Sequence, residues 1–275
     1  MRFIGKTVIV TGASSPRGIG AAVGRQFAAE GARVVLAARG RDGLEEVAER
    51  VRAERVGAEV MVVPTDLTDV DACERLVSET LDRFERLDVL VNNAGFNRRG
   101  PVMDQEPRDL AQIIAVNLTA PILLTRMALP ALRVRRGAVV QVASIAGQIP
   151  LDDEATYSAS KFGLRAFSFA LREELRDSGV GVSVVSPGPV DTGFIREQLD
   201  EVPDVVFANP MSSADEVAAL VLDGADDRRR ERTIPVQTGM LARFAAAFPV
   251  VRRMVKPAME KKGRAAKARF RERSD

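Results

Sequence analysis

An α/β fold is what this sequence predicts: a doubly wound parallel sheet of seven strands with helices on both faces, followed by a basic helical extension at the C-terminus. Three observations carry that reading. Short β-branched runs alternate with longer amphipathic segments, the rhythm of strands joined by helical crossovers. Several of those runs are continuously Val, Ile or Leu, so both faces of the sheet must be covered. Finally, 275 residues at 46% apolar content suffice for one large core, with length left over for an appendage.

In chain order the strands are TVIVTG from residue 7, RVVLAA from 33, EVMVVPTD from 59, DVLVNNAG from 88, GAVVQVAS from 137, GVSVVSPG from 181 and RTIPVQ from 232. The first ends in TGASSPRGIG, which puts Gly12, Gly18 and Gly20 at the turn into the first helix. Glycines there let the backbone approach a pyrophosphate, and the helix N-terminus offers it unpaired N–H groups. After the second strand, Ala38 stands where an acid usually meets a ribose 2′-hydroxyl, and Arg39 follows. A guanidinium pairs with a 2′-phosphate where a carboxylate would repel it, so NADP is favoured over NAD, with Arg17 as a second cation. Residues 192–213 break the rhythm with two prolines, an acidic run and the apolar triplet Val205, Val206, Phe207. They read as a substrate flap, because loops this long are seldom mere connections. The catalytic unit is expected over 1–236 and the extension over 237–275.

Composition narrows the chemistry. The chain has no histidine, no tryptophan and a single tyrosine, Tyr157. Without histidine, proton transfer near neutral pH falls to carboxylates, lysine, the lone Cys73 or this phenol. Before residue 256 only Lys6 and Lys161 are lysines, and Lys161 follows Tyr157 by four, on the same face of a helix. One cysteine gives neither a disulfide nor a cluster of metal ligands, and Cys73 reads as a small helix residue. The amino terminus enters a strand at once, which leaves no room for a leader, and no run reaches 18 continuous apolar residues. A cytoplasmic protein, at most peripheral to a membrane, is expected.

Together these residues resemble the short-chain dehydrogenase/reductase family over about residues 5–236. The resemblance is carried by the glycine turn, Asp66 with Leu67, NNAG at Asn92 to Gly95, Asn117 in AVNLTAP, Ser144 in VASIAG, Tyr157-x-x-x-Lys161 and PGPVDT at Pro187 to Thr192. It implies a Rossmann-type fold and an NADP-preferring oxidoreductase that interconverts a carbonyl and an alcohol, and an acyl-chain or lipid-like substrate would fit the apolar flap and the membrane-leaning tail. Tyr157 would exchange the proton, Lys161 and the positive charge of oxidised nicotinamide would together lower its pKa, and Lys161 would also hold the nicotinamide ribose. Ser144 would orient the substrate oxygen, and Asn117 would hold a relaying water or be a core amide. Cofactor contacts carried over are Gly12, Ser14, Arg17, Gly18, Ile19 and Gly20, then Arg39, Asp66 and Leu67, then Asn93, Ala94 and Gly95, and finally Pro187, Gly188, Val190 and Thr192, with Tyr157 and Lys161. Asp66 reads equally as a helix cap. One departure is that five residues, Ala13 to Arg17, separate the first two glycines, two more than the family's usual spacing. The family commonly forms homodimers or homotetramers. A non-catalytic nucleotide-binding scaffold of the same fold is the second reading.

Residues 240–275 hold eleven Lys/Arg against three Asp/Glu, so the tail is +8 and the remainder −6. Apolar residues at Met240, Leu241, Phe244, Phe248, Val251, Met254, Val255, Ala258 and Met259 recur at helical spacing. The stripe suits packing on the enzyme's own body or a sister subunit, or contact with an anionic membrane. Nucleic acid is not expected, since stacking aromatics and a reading motif are missing.

Overall fold

The computed structural model describes residues 1–197, 199–237, 239 and 249–272. All seven predicted runs become strands: β1 Thr7–Thr11, β2 Arg33–Ala38, β3 Val60–Pro64, β4 Val89–Asn92, β5 Ala138–Val142, β6 Gly181–Pro187 and, last in the chain, β9 Glu231–Ile234. They form one parallel sheet in the order β3-β2-β1-β4-β5-β6-β9. The order reverses between β1 and β4, and a crevice opens at that point beyond the strands' carboxyl ends. A separate two-stranded ladder pairs β7 Val190–Asp191 with β8 Ser212–Ser213.

Period-two alternation sends neighbouring residues of each strand into different layers. Val8 and Val10 of β1 pack among α1 Ile19–Ala29, α2 Arg41–Glu54 and α9 Ala214–Asp227. Ile9 between them packs on the other face, with α3 Val70–Phe84 and α5 Ala120–Arg135. Cys73 lies on the buried side of α3, and burial pushes its thiol up to about 11, which leaves it inert.

Helix α4 Pro107–Ile114 runs through a π-helical turn, Ala115–Thr119, into α5. This continuous rod, Pro107–Arg135, is long and apolar enough to cross a membrane by composition alone. No run of 18 continuous apolar residues is involved, since Gln112, Asn117, Thr119, Thr125 and Arg126 interrupt the rod. Its apolar character has a local cause, because Leu124, Ala128 and Leu132 are buried against the sheet.

The predicted flap forms α7 Gly193–Arg196 and α8 Asp204–Phe207, between α6 Ala155–Glu174 and α9 in the chain. Ile195, Val202 and Phe207 make a small core of their own, and Ala266 and Phe270 complete it from α10 Pro249–Glu272. Met240, Leu241, Phe244 and Phe248 of the expected stripe lie outside the described residues. The charges of α10 meet the acids of the flap: Arg264 and Lys267 reach Asp204, Arg271 reaches Asp200, and Lys267 donates to the Val202 carbonyl at 2.6 Å. Gly263 makes this docking possible, since a Cβ there would run into the Asp204 carbonyl. Gly263→Val should therefore detach α10 while sparing the sheet. Limited trypsin digestion is expected to cut within 256–272 at least about tenfold faster, an opening of roughly 1.4 kcal/mol, with the far-ultraviolet dichroism of the body retained.

Candidate active site

A cavity of about 990 Å³ runs from the glycine turn to α10. At one end Gly12 adopts φ +69°, and a Cβ on it would come within 2.7 Å of the Ala94 backbone. A Cβ on Gly20 would strike the Gly12 carbonyl. Backbone alone fits at both positions. Helix α1 begins at Gly18 with no side-chain cap and no acid in its first turn, so its N–H groups and dipole meet the cavity unneutralised. The two extra residues of the turn are taken up as a bend in which the Gly18 N–H donates to the Ser15 carbonyl at 2.8 Å. Ser14, Gly18, Ile19 and Arg39 line the cavity. Arg17 is exposed on the outside of the bend and is not part of the lining.

Asn93, Ala94 and Gly95 form the opposite lip. The Asn93 amide donates to the Thr11 and Gly12 carbonyls at 2.9 and 3.2 Å. Asp66 and Leu67 lie outside the lining; the Asp66 carboxylate accepts from Thr68 N and Oγ1 at 2.9 and 2.7 Å, a turn contact, and feels Arg39. Pro187, Gly188, Val190 and Thr192 line the far side.

Ser144, Tyr157 and Lys161 meet at the middle of the cleft. Ser144 caps a single 3-10 turn, accepting the Ala146 N–H at 3.1 Å, and hydrogen-bonds the Tyr157 phenol. The Lys161 ammonium donates to the Val142 carbonyl at 3.1 Å and sits 5.7 Å from the Tyr157 ring centre. Asn117, fully buried in the π turn, zips to the backbone of Phe96: Oδ1 accepts its N–H at 3.0 Å and Nδ2 donates to its carbonyl at 2.9 Å. A Cβ on Gly95 would touch both Asn117 Oδ1 and Lys161 Nζ, so this glycine keeps the space between them open.

Several supporting residues escaped the sequence reading. Thr11 ties the two lips, and Ser160 donates to the Tyr157 carbonyl at 2.6 Å while accepting from Asn117. Gln148 and Arg165 converge on Glu231 and hold the loop after Ser144 against the sheet edge. Val255, Lys256 and Met259 of α10 wall the cleft, with Lys256 bridging to Asp152 across its mouth at 2.8 Å. Motif spacing carries no signal for them, although the opposite charges of flap and tail do.

A family model described as short chain dehydrogenase matches residues 6–202. The chain belongs to the short-chain dehydrogenase family. Its members are NAD(P)-dependent oxidoreductases. A relative named dehydrogenase/reductase SDR family member 7B from Bos taurus is 39% identical over 192 residues, 68% of this chain and 58% of that protein. The match thus spans under two thirds of that relative's length. Ketoacyl reductase HetN from Nostoc sp. is 36% identical over 79% of this chain and 75% of its own. Among solved structures, a metagenomic short-chain oxidoreductase in complex with NADP is 34% identical, with a TM-score of 0.72, over 85% of this chain and 98% of that one. Levodione reductase, 24% identical with a TM-score of 0.79 over 87% of this chain and 99% of that one, shares the fold.

Burial dominates the electrostatics of the short-chain dehydrogenase site in the protein's own residues. Burial pushes the Tyr157 phenol up to about 12, the nearby Glu154 carboxylate adds to this, and the Ser144 hydrogen bond and Arg99 oppose it. Burial also brings Lys161 down to about 8. Withdrawal from water is the largest cause of both shifts.

The Lys161 shift sets a stability window. The unfolded chain holds that proton to the ordinary 10.5 and the folded one only to about 8, so between them the unfolded state binds more protons and stability rises with pH. Lys161→Met lacks this contribution. Cofactor-free wild type should gain thermal midpoint relative to Lys161→Met between about pH 7.5 and about 9.5; a constant difference would show that the ammonium is not desolvated.

Proposed function

We propose that this protein is an NADP-preferring oxidoreductase that interconverts a carbonyl and an alcohol, with Tyr157, Lys161, Ser144 and Asn117 as its working residues. The observation that carries the reading is the single unbroken cavity joining the glycine turn and Arg39 to Ser144, Tyr157 and Lys161, and then to an apolar wall of Ile149, Leu151, Val255 and Met259.

The residues present fit a dinucleotide. Side-chain-free backbone at Gly12 and Gly20, the uncapped start of α1 and the cationic Arg39 beside Ala38 suit a pyrophosphate and a 2′-phosphate. The bound nicotinamide supplies or accepts the hydride. Ser144 Oγ and Tyr157 Oη hold the substrate oxygen, and the phenol gives its proton to that oxygen as the alcohol forms. Lys161 would hold the ribose hydroxyls of a bound cofactor, and the gap that Gly95 leaves lies between its ammonium and Asn117. The apolar wall favours a substrate with a hydrocarbon body. Assembly as a homodimer or homotetramer belongs to the same reading. The extension serves as a wall of the cleft more than as a membrane contact, because Lys256, Arg264, Lys267 and Arg271 already meet acids of the body.

Cofactor fluorescence with NADPH and NADH, followed by a carbonyl panel, tests the proposal. Wild type should bind NADPH the more tightly, and Arg39→Asp should reverse the preference by at least about tenfold through repulsion of the 2′-phosphate. Tyr157→Phe should keep NADPH binding and lose turnover by about a hundredfold or more. Binding of NADPH with no carbonyl reduced by wild type would instead favour the non-catalytic scaffold.

A further inference from the structure

A second cavity of about 260 Å³ lies beside the cleft, lined by Phe96, Asn97, Arg98, Gly193, Phe194 and Glu197. Gly193, Phe194 and Glu197 line the main cavity too, so Phe194 stands as a partition between the two spaces. Its ring is 6.2 Å from that of Tyr157. The Arg99 guanidinium lies over the same ring, 5.4 Å from its centre.

Asn97 is 2% exposed, and neither its carboxamide oxygen nor its nitrogen has a hydrogen-bond partner among the described residues. It lies close enough to the Glu154 carboxylate to feel it, but without a bond of normal geometry. Arg99 and Glu154 form an ion pair at 3.0 Å with side chains only 6% and 5% exposed, and both line the main cavity near Tyr157. A buried amide with both ends unmet is rare, and it marks a place where water or a ligand completes the bonding.

We propose that Asn97, backed by the Arg99–Glu154 pair, forms a subsite for a second hydrogen-bonding group of the substrate, which is therefore an uncharged carbonyl compound bearing a hydroxyl or carboxamide away from the reacting carbon. The inference rests on the oxidoreductase reading above and deepens it. Charge decides the class. Arg99 is balanced by Glu154, so a charged substrate group would have to disrupt a buried pair and lose its own hydration. A neutral group that both donates and accepts satisfies the amide at no such cost. The cavity is several times the roughly 30 Å³ share of one water, which is room for such a group and its carbon. Bound there, the substrate would pass Phe194 with one end at Tyr157 and its hydrocarbon body along Ile149, Leu151 and Met259.

The test uses the full chain and NADPH, with aliphatic methyl ketones and their counterparts hydroxylated at successive carbons. Wild type is expected to prefer one hydroxylated member over its plain partner by roughly tenfold in kcat/KM, the scale of one net hydrogen bond. In Asn97→Leu that ratio should fall to about one, with NADPH binding confirming the fold; Asn97→Ser, smaller and still polar, should keep part of it. Absence of preference in wild type, or an unchanged preference in Asn97→Leu, overturns the subsite and leaves water as the occupant. Calorimetry of the same ketone pairs on NADP-loaded Tyr157→Phe protein separates the two proposals. Preference in binding without turnover by wild type keeps the subsite and removes the oxidoreductase reading, whereas turnover without preference does the reverse.

Discussion

Thr11 receives two backbone N–H groups, from Asn93 at 3.0 Å and Ala94 at 3.1 Å, and gives its own proton to the Val91 carbonyl. These bonds join the ends of β1 and β4 where the sheet order reverses. Neighbouring strands there send their helices to opposite faces, so the backbone past their carboxyl ends parts and leaves unpaired polar groups around a crevice. One buried hydroxyl and the Asn93 amide satisfy most of those groups and leave the floor open. The close approach of Gly12, Gly20 and Ala94 depends on that seam, and with it the path along which a cofactor would lie.

The charge distribution along the chain follows from a second constraint. The flap's small core of Ile195, Val202 and Phe207 packs against Leu199, Val206 and Met211 of the flap itself and is completed by Ala266 and Phe270 of α10. The flap's acids at Asp200 and Asp204 would repel one another without the cations of α10. Exposed pairs of this kind stabilise weakly one at a time, so their stronger effect is on register. Gly263 sets the distance of approach and the ion pairs set which turn of α10 faces the flap. Specificity at the cleft and the position of the chain's last helix are thereby linked through Val255, Lys256 and Met259.

Strands, sheet class and the meeting of Ser144, Tyr157 and Lys161 were legible in the sequence, because each depends on local periodicity or fixed spacing. Apolar runs read as strands wherever both faces are covered, and a four-residue step on a helix brings side chains together whatever surrounds them. Roles that depend on where loops turn were not legible. Arg17 faces outward because a bend at Ser15 to Gly18 absorbs the longer loop, and spacing alone does not reveal which side of a bend a residue takes. Asp66 engages Thr68, the sort of local hydrogen bond that a motif reading cannot tell from a ligand contact. Asn97, Arg99 and Glu154 come from two distant segments, so their proximity belongs to the tertiary fold alone.

Burial of the proposed proton donor and its lysine bears on the direction of chemistry. Among the described residues, Ser144 and Arg99 favour the Tyr157 phenolate too little to offset withdrawal from water, and Glu154 opposes it further. A phenol held high remains protonated throughout the physiological range, which suits a group that must give a proton to a carbonyl oxygen. The oxidative direction requires phenolate, and that must come from positive charge brought into the cleft with the cofactor. Lys161 contributes less of that charge as pH passes about 8. Arg99 is a cation acting on the phenol, and its pairing with Glu154 cancels much of its field. In the proposed reaction, burial would keep the tyrosine protonated while the Arg99–Glu154 pair leaves the proposed subsite neutral toward substrate, and both effects would favour reduction of an uncharged carbonyl compound.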